Sequence, residues 1–191
     1  DISRLVEGRY GTQEMGDTFG QEQTFGCILK VQGVSAEILS QLYPDVVPPE
    51  DAAVLVETAD LRHVDPVRIR ELWDKGGHDI IAINTAWEET VAKKRPSATA
   101  HINKTKTSAD STEAAKALQL KKGMEIIADS VENLRDVVLE KALEWDSVPH
   151  MDQTHLYDAV PTVAGRPFAH YAEMLQSGLD VLKFFYDYST L

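Results

Sequence analysis

The chain has 191 residues, 43% of them hydrophobic, and a formal net charge of −12 at pH 7. This length and apolar content predict folded globular material, with one good core or two small ones, and exclude a disordered tail. The acidic balance argues against a general nucleic-acid binder, and no apolar run approaches the roughly 20 residues of a membrane span. The single cysteine, Cys27, rules out an internal disulfide and favours the reducing cytoplasm as the setting.

Helix signals in the first half of the chain predict several short helices. Apolar residues lie on one broad side of a helix between Asp17 and Val31. Pro49, followed by two acidic residues, is typical of a helix start, because the missing N–H is not needed there and acids favour the positive end of the helix dipole. A further helix is predicted from Val67 to Lys75, opened by Pro66 and closed by Gly76-Gly77.

The segment from Ala92 to Thr107 has no hydrophobic period and predicts a loop that separates two structural units. Within it lie five cations and no acid; the cations are Lys93, Lys94, Arg95, Lys104 and Lys106. On charge alone two interpretations stay open. The segment is either a solvated connecting loop or a positive surface that attracts an anionic small molecule.

Two long helices are predicted in the second half. Asp110 is expected to be the N-cap of the first, with Glu113 at capping-box spacing, and a hydrophobic stripe extends this helix to Trp145, about 54 Å at 1.5 Å per residue. A second stripe runs from Tyr171 to Phe185. Two such helices predict antiparallel members of a bundle that needs further helices to enclose a core. No alternation of strand period is recognised, so no β-structure is expected.

The segment from Gln153 to Gly165 places one histidine, His155, beside the hydroxyl of Thr154 and just before the second long helix. Loop histidines at such positions are ordinarily surface or capping residues, although a pKa near neutrality also suits histidine to general acid–base catalysis. His150 and Asp152 raise the alternative of a metal site with His155, but their spacing fits no standard ligand motif.

Three shorter motifs precede this segment. Thr107-Ser108-Ala109-Asp110 is a routine helix entry rich in capping groups, and hydroxyls and N–H groups at a helix N-terminus also form an anion site. His78-Asp79 stands at another predicted helix start, where the acid would interact with the dipole. Gly8-Arg9-Tyr10, followed by Glu14-Met15, is weak evidence by itself, although a guanidinium fork suits a phosphate.

In their order along the chain, these motifs resemble the adenylosuccinate lyase branch of the fumarase/aspartase superfamily. The resemblance implies an all-α fold, in which a small helical N-terminal domain, residues 1–106, precedes the first long antiparallel helices of a central bundle, residues 107–191. It also implies a β-elimination that releases fumarate from a succinyl-amine. Adenylosuccinate, a purine nucleotide precursor, is the expected substrate, and no metal or organic cofactor is expected.

The resemblance gives the two histidines catalytic roles. His155 corresponds to the residue that protonates the departing nitrogen, and a pKa near the working pH suits that task. His78 corresponds to a histidine that faces the substrate. Asp79 and Thr154, next to them, are expected to bind substrate.

The remaining expected site residues bind the anionic groups of the substrate. Arg9 and Tyr10 correspond to a pair that contacts the nucleotide phosphate. Thr107 and Ser108 correspond to a pair that holds a succinyl carboxylate and stabilises the developing aci-carboxylate. The expected partners are therefore an anionic small molecule and further copies of the chain, since family members are homotetramers whose sites draw residues from three subunits.

The chain also departs from the family pattern. Tyr157 stands where many relatives have glutamine, and Asn103 where many have histidine. The mobile serine loop that supplies the base in this superfamily has no counterpart here, so the chain is expected to be an N-terminal portion of a longer lyase and inactive alone. A related fumarate-releasing lyase or carboxymuconate-type cycloisomerase is one alternative function, and a non-catalytic helical oligomerisation module is another.

Overall fold

The computed structural model describes residues 10–188 and divides the chain into two compact units. The first unit ends at Leu120 and the second begins at Lys121, so the division falls inside a long helix. Helices dominate both units, and the predicted all-α class is confirmed. Among the described helices, none combines the length and apolar character needed to cross a bilayer.

The first unit contains five helices, a 3₁₀ helix and the start of the long helix within the described residues. They are α1 (Gln13–Phe19), α2 (Gln21–Leu42), α3 (Pro49–Thr58), α4 (Pro66–Gly76), α5 (Asp79–Lys94), the 3₁₀ helix η1 (Pro96–His101) and the beginning of α6 (Ser108–Glu144).

The local start and stop signals of α3 and α4 act as predicted. Both helices have a proline in the first turn, where no intrahelical partner for an N–H is available. Gly77 ends α4 in the left-handed conformation, with φ 72°. The helix predicted between Asp17 and Val31 is wrong in its extent. Helix α1 ends at Phe19, Gly20 interrupts the helical conformation, and α2 then continues to Leu42.

A single apolar core holds the first unit together. Trp87 on α5 is fully buried, and its indole N–H donates to the hydroxyl of Thr58 on α3 at 2.9 Å. Phe25 on α2 packs edge-to-face against Trp73 on α4. The segment after α5 joins this core through Ala98 and Ile102, so the predicted loop between Ala92 and Thr107 is an ordered connection that contains η1.

The second unit consists of the remainder of α6, a β-hairpin and α7 (Gly165–Tyr188). The two helices run antiparallel, as side-chain contacts at three levels demonstrate. Tyr186 donates to Glu125 at 2.9 Å, Arg135 donates to Gln176 at 2.6 Å, and the rings of Trp145 and Phe168 meet edge-to-face. Few apolar side chains are buried between them.

The hairpin contradicts the expectation of no β-structure. Strand β1 (Pro149–Thr154) pairs antiparallel with β2 (Tyr157–Val163), with a register shift between Met151 and Gln153. Prolines in both strands and the absence of glycine or asparagine in the turn conceal the hairpin in the sequence. The β-branched and aromatic residues of β2 are the signal that could have indicated it.

Candidate active site

His155 occupies the tip of the hairpin. Thr154 pairs with Tyr157, which leaves His155 and Leu156 as a two-residue turn. Both have left-handed backbone conformations, with φ 51° and 68°, the pattern of a type I′ turn. Non-glycine residues adopt this conformation at a cost. Both turn residues are exposed, Leu156 to 92%, so the hairpin presents the imidazole of His155 to solvent.

The base of the hairpin is fixed by a close approach of backbone to backbone. The N–H of Gly165 donates to the carbonyl of Trp145 at 2.9 Å, and the N–H of Ala164 donates to that of Val148 at 2.8 Å. A Cβ at Gly165 would lie 2.2 Å from the carbonyl oxygen of Ala142, so only glycine fits. Gly165, the last residue of the segment that begins at Gln153, therefore anchors the hairpin to the end of α6.

Thr107 and Ser108 lie at the N-terminus of α6, but the capping arrangement differs from the prediction. The helix begins at Ser108, so Thr107 is the cap, and Asp110, predicted as the cap, is the third helical residue. The carboxylate of Asp110 accepts from the backbone N–H of Thr107 at 2.7 Å and from its hydroxyl at 3.1 Å. These hydrogen bonds hold the pKa of Asp110 below its usual range. One acid thus already engages two of the donors expected for a substrate carboxylate.

Ser108 lies at the exposed N-terminus of α6. Its side chain is exposed, and its N–H belongs to the first turn of a 37-residue helix, whose N–H groups have no partner within the helix. Lys106, two residues earlier, is half-buried, and its ammonium donates to the carbonyl of Lys104 at 3.3 Å. Burial lowers the pKa of Lys106, while the nearby Asp110 opposes that shift.

His78 and Asp79 lie at the start of α5. His78 is the N-cap residue, and Asp79 is the first helical residue, whose carboxylate accepts from the N–H of Ile80 at 2.7 Å. The Nδ1 atom of His78 is 3.3 Å from the same carboxylate oxygen, and both side chains are well exposed. The histidine can therefore be held and oriented by its neighbour through Nδ1.

The expected phosphate contact falls at the edge of the structure. Arg9 lies outside the described residues. Tyr10 is 79% exposed and precedes α1, whose cap Thr12 accepts from the N–H of Met15 at 3.3 Å. The phosphate contact by Arg9 and Tyr10 therefore stays a prediction.

Within the first unit, the structure brings the described site residues together only as neighbours in sequence. His78 and Asp79 form one pair in the first unit, and Thr107 and Ser108 form another; no hydrogen bond or ion pair joins the two pairs among residues 10–188. Thr154 and His155 belong to the second unit.

Sequence reasoning missed a buried charged cluster in the first unit. Asp51 on α3 is 2% exposed and binds the side chains of Arg95, Ser97 and His101. Burial acts to raise the pKa of Asp51, but hydrogen bonds from Arg95 and Ser97, together with nearby positive charge, hold it below its usual range. The signal available in the sequence was the group of cations at the end of α5 and after it, because any of them that is buried needs a counter-charge. Lys94, for example, binds Glu57 at 2.7 Å.

Solved structures of enzymes share this fold. That of β-carboxy-cis,cis-muconate cycloisomerase from Acinetobacter calcoaceticus sp. ADP1 aligns with 94% of this chain and 42% of its own, with a TM-score of 0.80 at 19% identity. Fumarate lyase from Mesorhizobium sp. BNC1 aligns with 88% of this chain and 38% of its own, with a TM-score of 0.77 at 20% identity. These likenesses show the fold, which is that of the fumarase/aspartase superfamily.

Sequence comparison then gives the family. A family model described as a lyase matches residues 44–189, and the chain belongs to this lyase family. It is 31% identical to adenylosuccinate lyase from Methanocaldococcus jannaschii over 178 residues, 93% of this chain and 37% of the relative. It is 27% identical to adenylosuccinate lyase from Pyrococcus abyssi over 93% of this chain and 38% of that relative. The predicted resemblance is confirmed, and the chain spans less than two-fifths of the length of these curated relatives.

Proposed function

We propose that the full-length protein catalyses a β-elimination that releases fumarate from a succinyl-amine, with adenylosuccinate as substrate. The observation that carries this proposal is the similarity to adenylosuccinate lyases, which runs over 93% of the chain. The proposed reaction removes a proton from the carbon next to a carboxylate, spreads charge into that carboxylate and protonates the departing nitrogen.

The N-terminus of α6 suits the carboxylate that receives this charge. Ser108 and the N–H groups of the first turn present donors at the positive end of a long helix dipole. Donors placed where negative charge develops each contribute on the order of 3 kcal/mol to the transition state. Asp110 competes for the same donors through Thr107, so a bound carboxylate either replaces Asp110 there or binds at Ser108 beside it.

His155 suits the acid that protonates the leaving nitrogen. The hairpin tip exposes its imidazole, and the strained turn is fixed at its base by Gly165. A histidine carried on a constrained turn can reach a substrate bound by other elements without rearrangement of its own backbone. His78, held beside Asp79, supplies a second imidazole of the proposed site.

Self-association is the second part of the proposal. Leu134 and Val138 on α6 and Phe168, Tyr171 and Met174 on α7 line an apolar groove on the second unit. Leu134, Tyr171 and Met174 are 52%, 57% and 59% exposed, respectively. Exposed apolar side chains in a continuous groove are typical of a surface that other helices cover. We therefore propose that further copies of the chain pack along these helices.

The test of catalysis is His155→Asn in the full-length protein. Asparagine tolerates the left-handed conformation, so the turn should survive while the titratable group is lost. We expect kcat for adenylosuccinate to fall about 1,000-fold, within the range for a lost general acid. His170→Asn is the matched control, since His170 lies on α7 with its side chain 71% exposed and has no proposed role.

Each outcome of this experiment separates the alternatives. Unchanged turnover in the His155 variant would remove His155 from the mechanism. Conversion of 3-carboxy-cis,cis-muconate to a lactone, in place of fumarate release, would favour the cycloisomerase alternative. A protein that self-associates but converts neither substrate would favour the oligomerisation module.

A further inference from the structure

We propose that Asp51 is a positioning residue, which fixes the Thr107–Ser108 segment through a relay of polar contacts over His101 and Lys104. The proposal rests on the proposed function, because that function gives the segment its task of binding a carboxylate. The relay itself is a feature of the first unit and can be measured without any assay of catalysis.

Asp51 is the buried end of the relay. It lies in the first turn of α3, and its side chain is only 3% exposed. One oxygen accepts from Nε of Arg95 and from the hydroxyl of Ser97, the latter at 2.9 Å. The other oxygen lies 3.2 Å from Nε2 of His101. A buried carboxylate needs such partners, and all three lie on the connection between α5 and α6.

His101 passes the constraint on, and its tautomer follows from the geometry. Its ring is 11% exposed, and Nδ1 lies 2.9 Å from Nζ of Lys104. A lysine ammonium can only donate, so Nδ1 must accept. Nε2 therefore carries the proton and faces the carboxylate of Asp51 at 3.2 Å. The relay consists of the hydrogen bond from Lys104 to His101 and this polar contact from His101 to Asp51.

Lys104 is the end of the relay that holds the turn before α6. Its ammonium also donates to the carbonyl of Val46, at 3.3 Å, and its own carbonyl accepts from Lys106. Its neighbours Asn103 and Thr105 have φ of 53° and 65°, conformations that side chains other than glycine adopt only at a cost. The contacts of Lys104 with Val46, His101 and Lys106 offset that cost and fix the turn that leads to Thr107.

The alternative explanation is that the cluster only holds α5 against α3, and this would explain only part of its contacts. Arg95 and Ser97 already attach the start of the connection to Asp51. His101 and Lys104 extend the attachment to within three residues of Thr107. Contacts so far along the connection are not needed to hold α5 against α3. The two explanations differ in what the loss of the relay should do to Thr107 and Ser108.

Asp51→Asn breaks the relay while preserving the size of the side chain. The remaining oxygen can still accept from Arg95 and Ser97, but the new NH₂ group faces Nε2 of His101, which then has to accept. The ring proton moves to Nδ1, where it meets the ammonium of Lys104. The bond between His101 and Lys104 is therefore lost, although the attachment at Arg95 remains.

Two measurements on the full-length protein read the consequence. Hydrogen exchange of the backbone across residues 102–108 should become faster in Asp51→Asn. With adenylosuccinate, kcat should fall about tenfold while KM changes less than about threefold, because a loosened segment stabilises less of the charge that develops on the carboxylate in the transition state. Ser97→Ala is the matched control, since it removes a bond to Asp51 that lies outside the relay; both quantities should stay near wild type.

Lys104→Met supplies an independent variant on the exposed side, which also serves if Asp51→Asn fails to fold. Because Asp51 and Lys104 act through one relay, the double variant should be no worse than either single variant. Equal effects of Ser97→Ala and Asp51→Asn, additive effects in the double variant, or unchanged exchange at 102–108 would each overturn the proposal. If the wild-type protein releases no fumarate, the proposed function fails, and the exchange measurements alone decide on the relay.

Discussion

Leu55 in the first unit is completely buried, whereas Leu134 in the second is 52% exposed, although both lie in the middle of amphipathic helices. The same contrast separates the aromatic residues. Trp87 is buried and hydrogen-bonded, while Phe184 and Phe185 are 65% and 56% exposed. The first unit encloses its own core among short helices, and the second presents apolar surface that its two long helices cannot cover for each other.

This difference predicts that the first unit determines the stability of its own fold, whereas the second unit determines how copies of the chain assemble. Because the first unit has a buried apolar core of its own, its folding should depend on its own sequence. The second unit should depend on what packs along α6 and α7. The candidate site residues are divided in the same way, with His78 and Ser108 in the first unit and His155 in the second. Catalysis as proposed therefore requires both a folded first unit and a covered second one.

The largest effect on stability is expected for Leu55→Ala. Truncation of a fully buried leucine removes apolar contacts and leaves a cavity, so unfolding of the first unit should become easier by about 3 kcal/mol. Leu134→Ala is the matched substitution in the second unit and should cost under about 1 kcal/mol in the dissociated chain. Native-state hydrogen exchange, read separately for α2 and α7, measures both. Equal costs would contradict the contrast between the units.

A smaller effect is expected for Asp51→Ala, at about 2 kcal/mol, because buried donors lose a charged acceptor. The pKa of Asp51 lies below its ordinary value, so its stabilisation is fully present above the unfolded-state pKa of about 4 and is lost as the pH falls through the lower folded-state value. Urea unfolding should therefore give a difference between wild type and variant that is constant from about pH 5 to 7 and shrinks below about pH 4. A difference that grows on acidification would contradict this account.

The smallest effect on unfolding is expected for Met174→Glu. Met174 is 59% exposed, so the dissociated chain should lose less than about 0.5 kcal/mol. In an assembly, however, the new carboxylate would be buried without a partner, and the association should weaken strongly. Light scattering after gel filtration measures the change as a shift to smaller species. Lys183→Ala, on an exposed part of α7, is the control that should leave the assembly intact. An unchanged assembly in Met174→Glu would mean that the groove beside Leu134 faces solvent.

Local signals predicted much of the helical structure. Prolines at the start of α3 and α4 and the glycine after α4 act within one turn of the chain, so they can be read directly. The hairpin escaped prediction because its turn residues, His155 and Leu156, adopt a conformation that their types disfavour. The base of the hairpin is fixed at Gly165 by a close approach to Ala142, a tertiary contact that no local pattern reveals.

The candidate site was predictable only where a motif carries the chemistry in adjacent residues. The sequence indicates Thr107-Ser108 and His78-Asp79 in this way. It does not reveal that Asp110 binds the donors of Thr107, because the start of a helix cannot be fixed to one residue from pattern alone. Nor does it reveal the partner of His101, since 50 residues separate it from Asp51 and only the packed first unit brings them to 3.2 Å.

The most direct test of the account is an incubation of the full-length protein with adenylosuccinate, followed by quantification of the products. Fumarate and adenylate should appear in equal amounts and at a catalytic rate, without added metal or cofactor. The absence of fumarate, under conditions in which a known adenylosuccinate lyase is active, would contradict the proposed reaction.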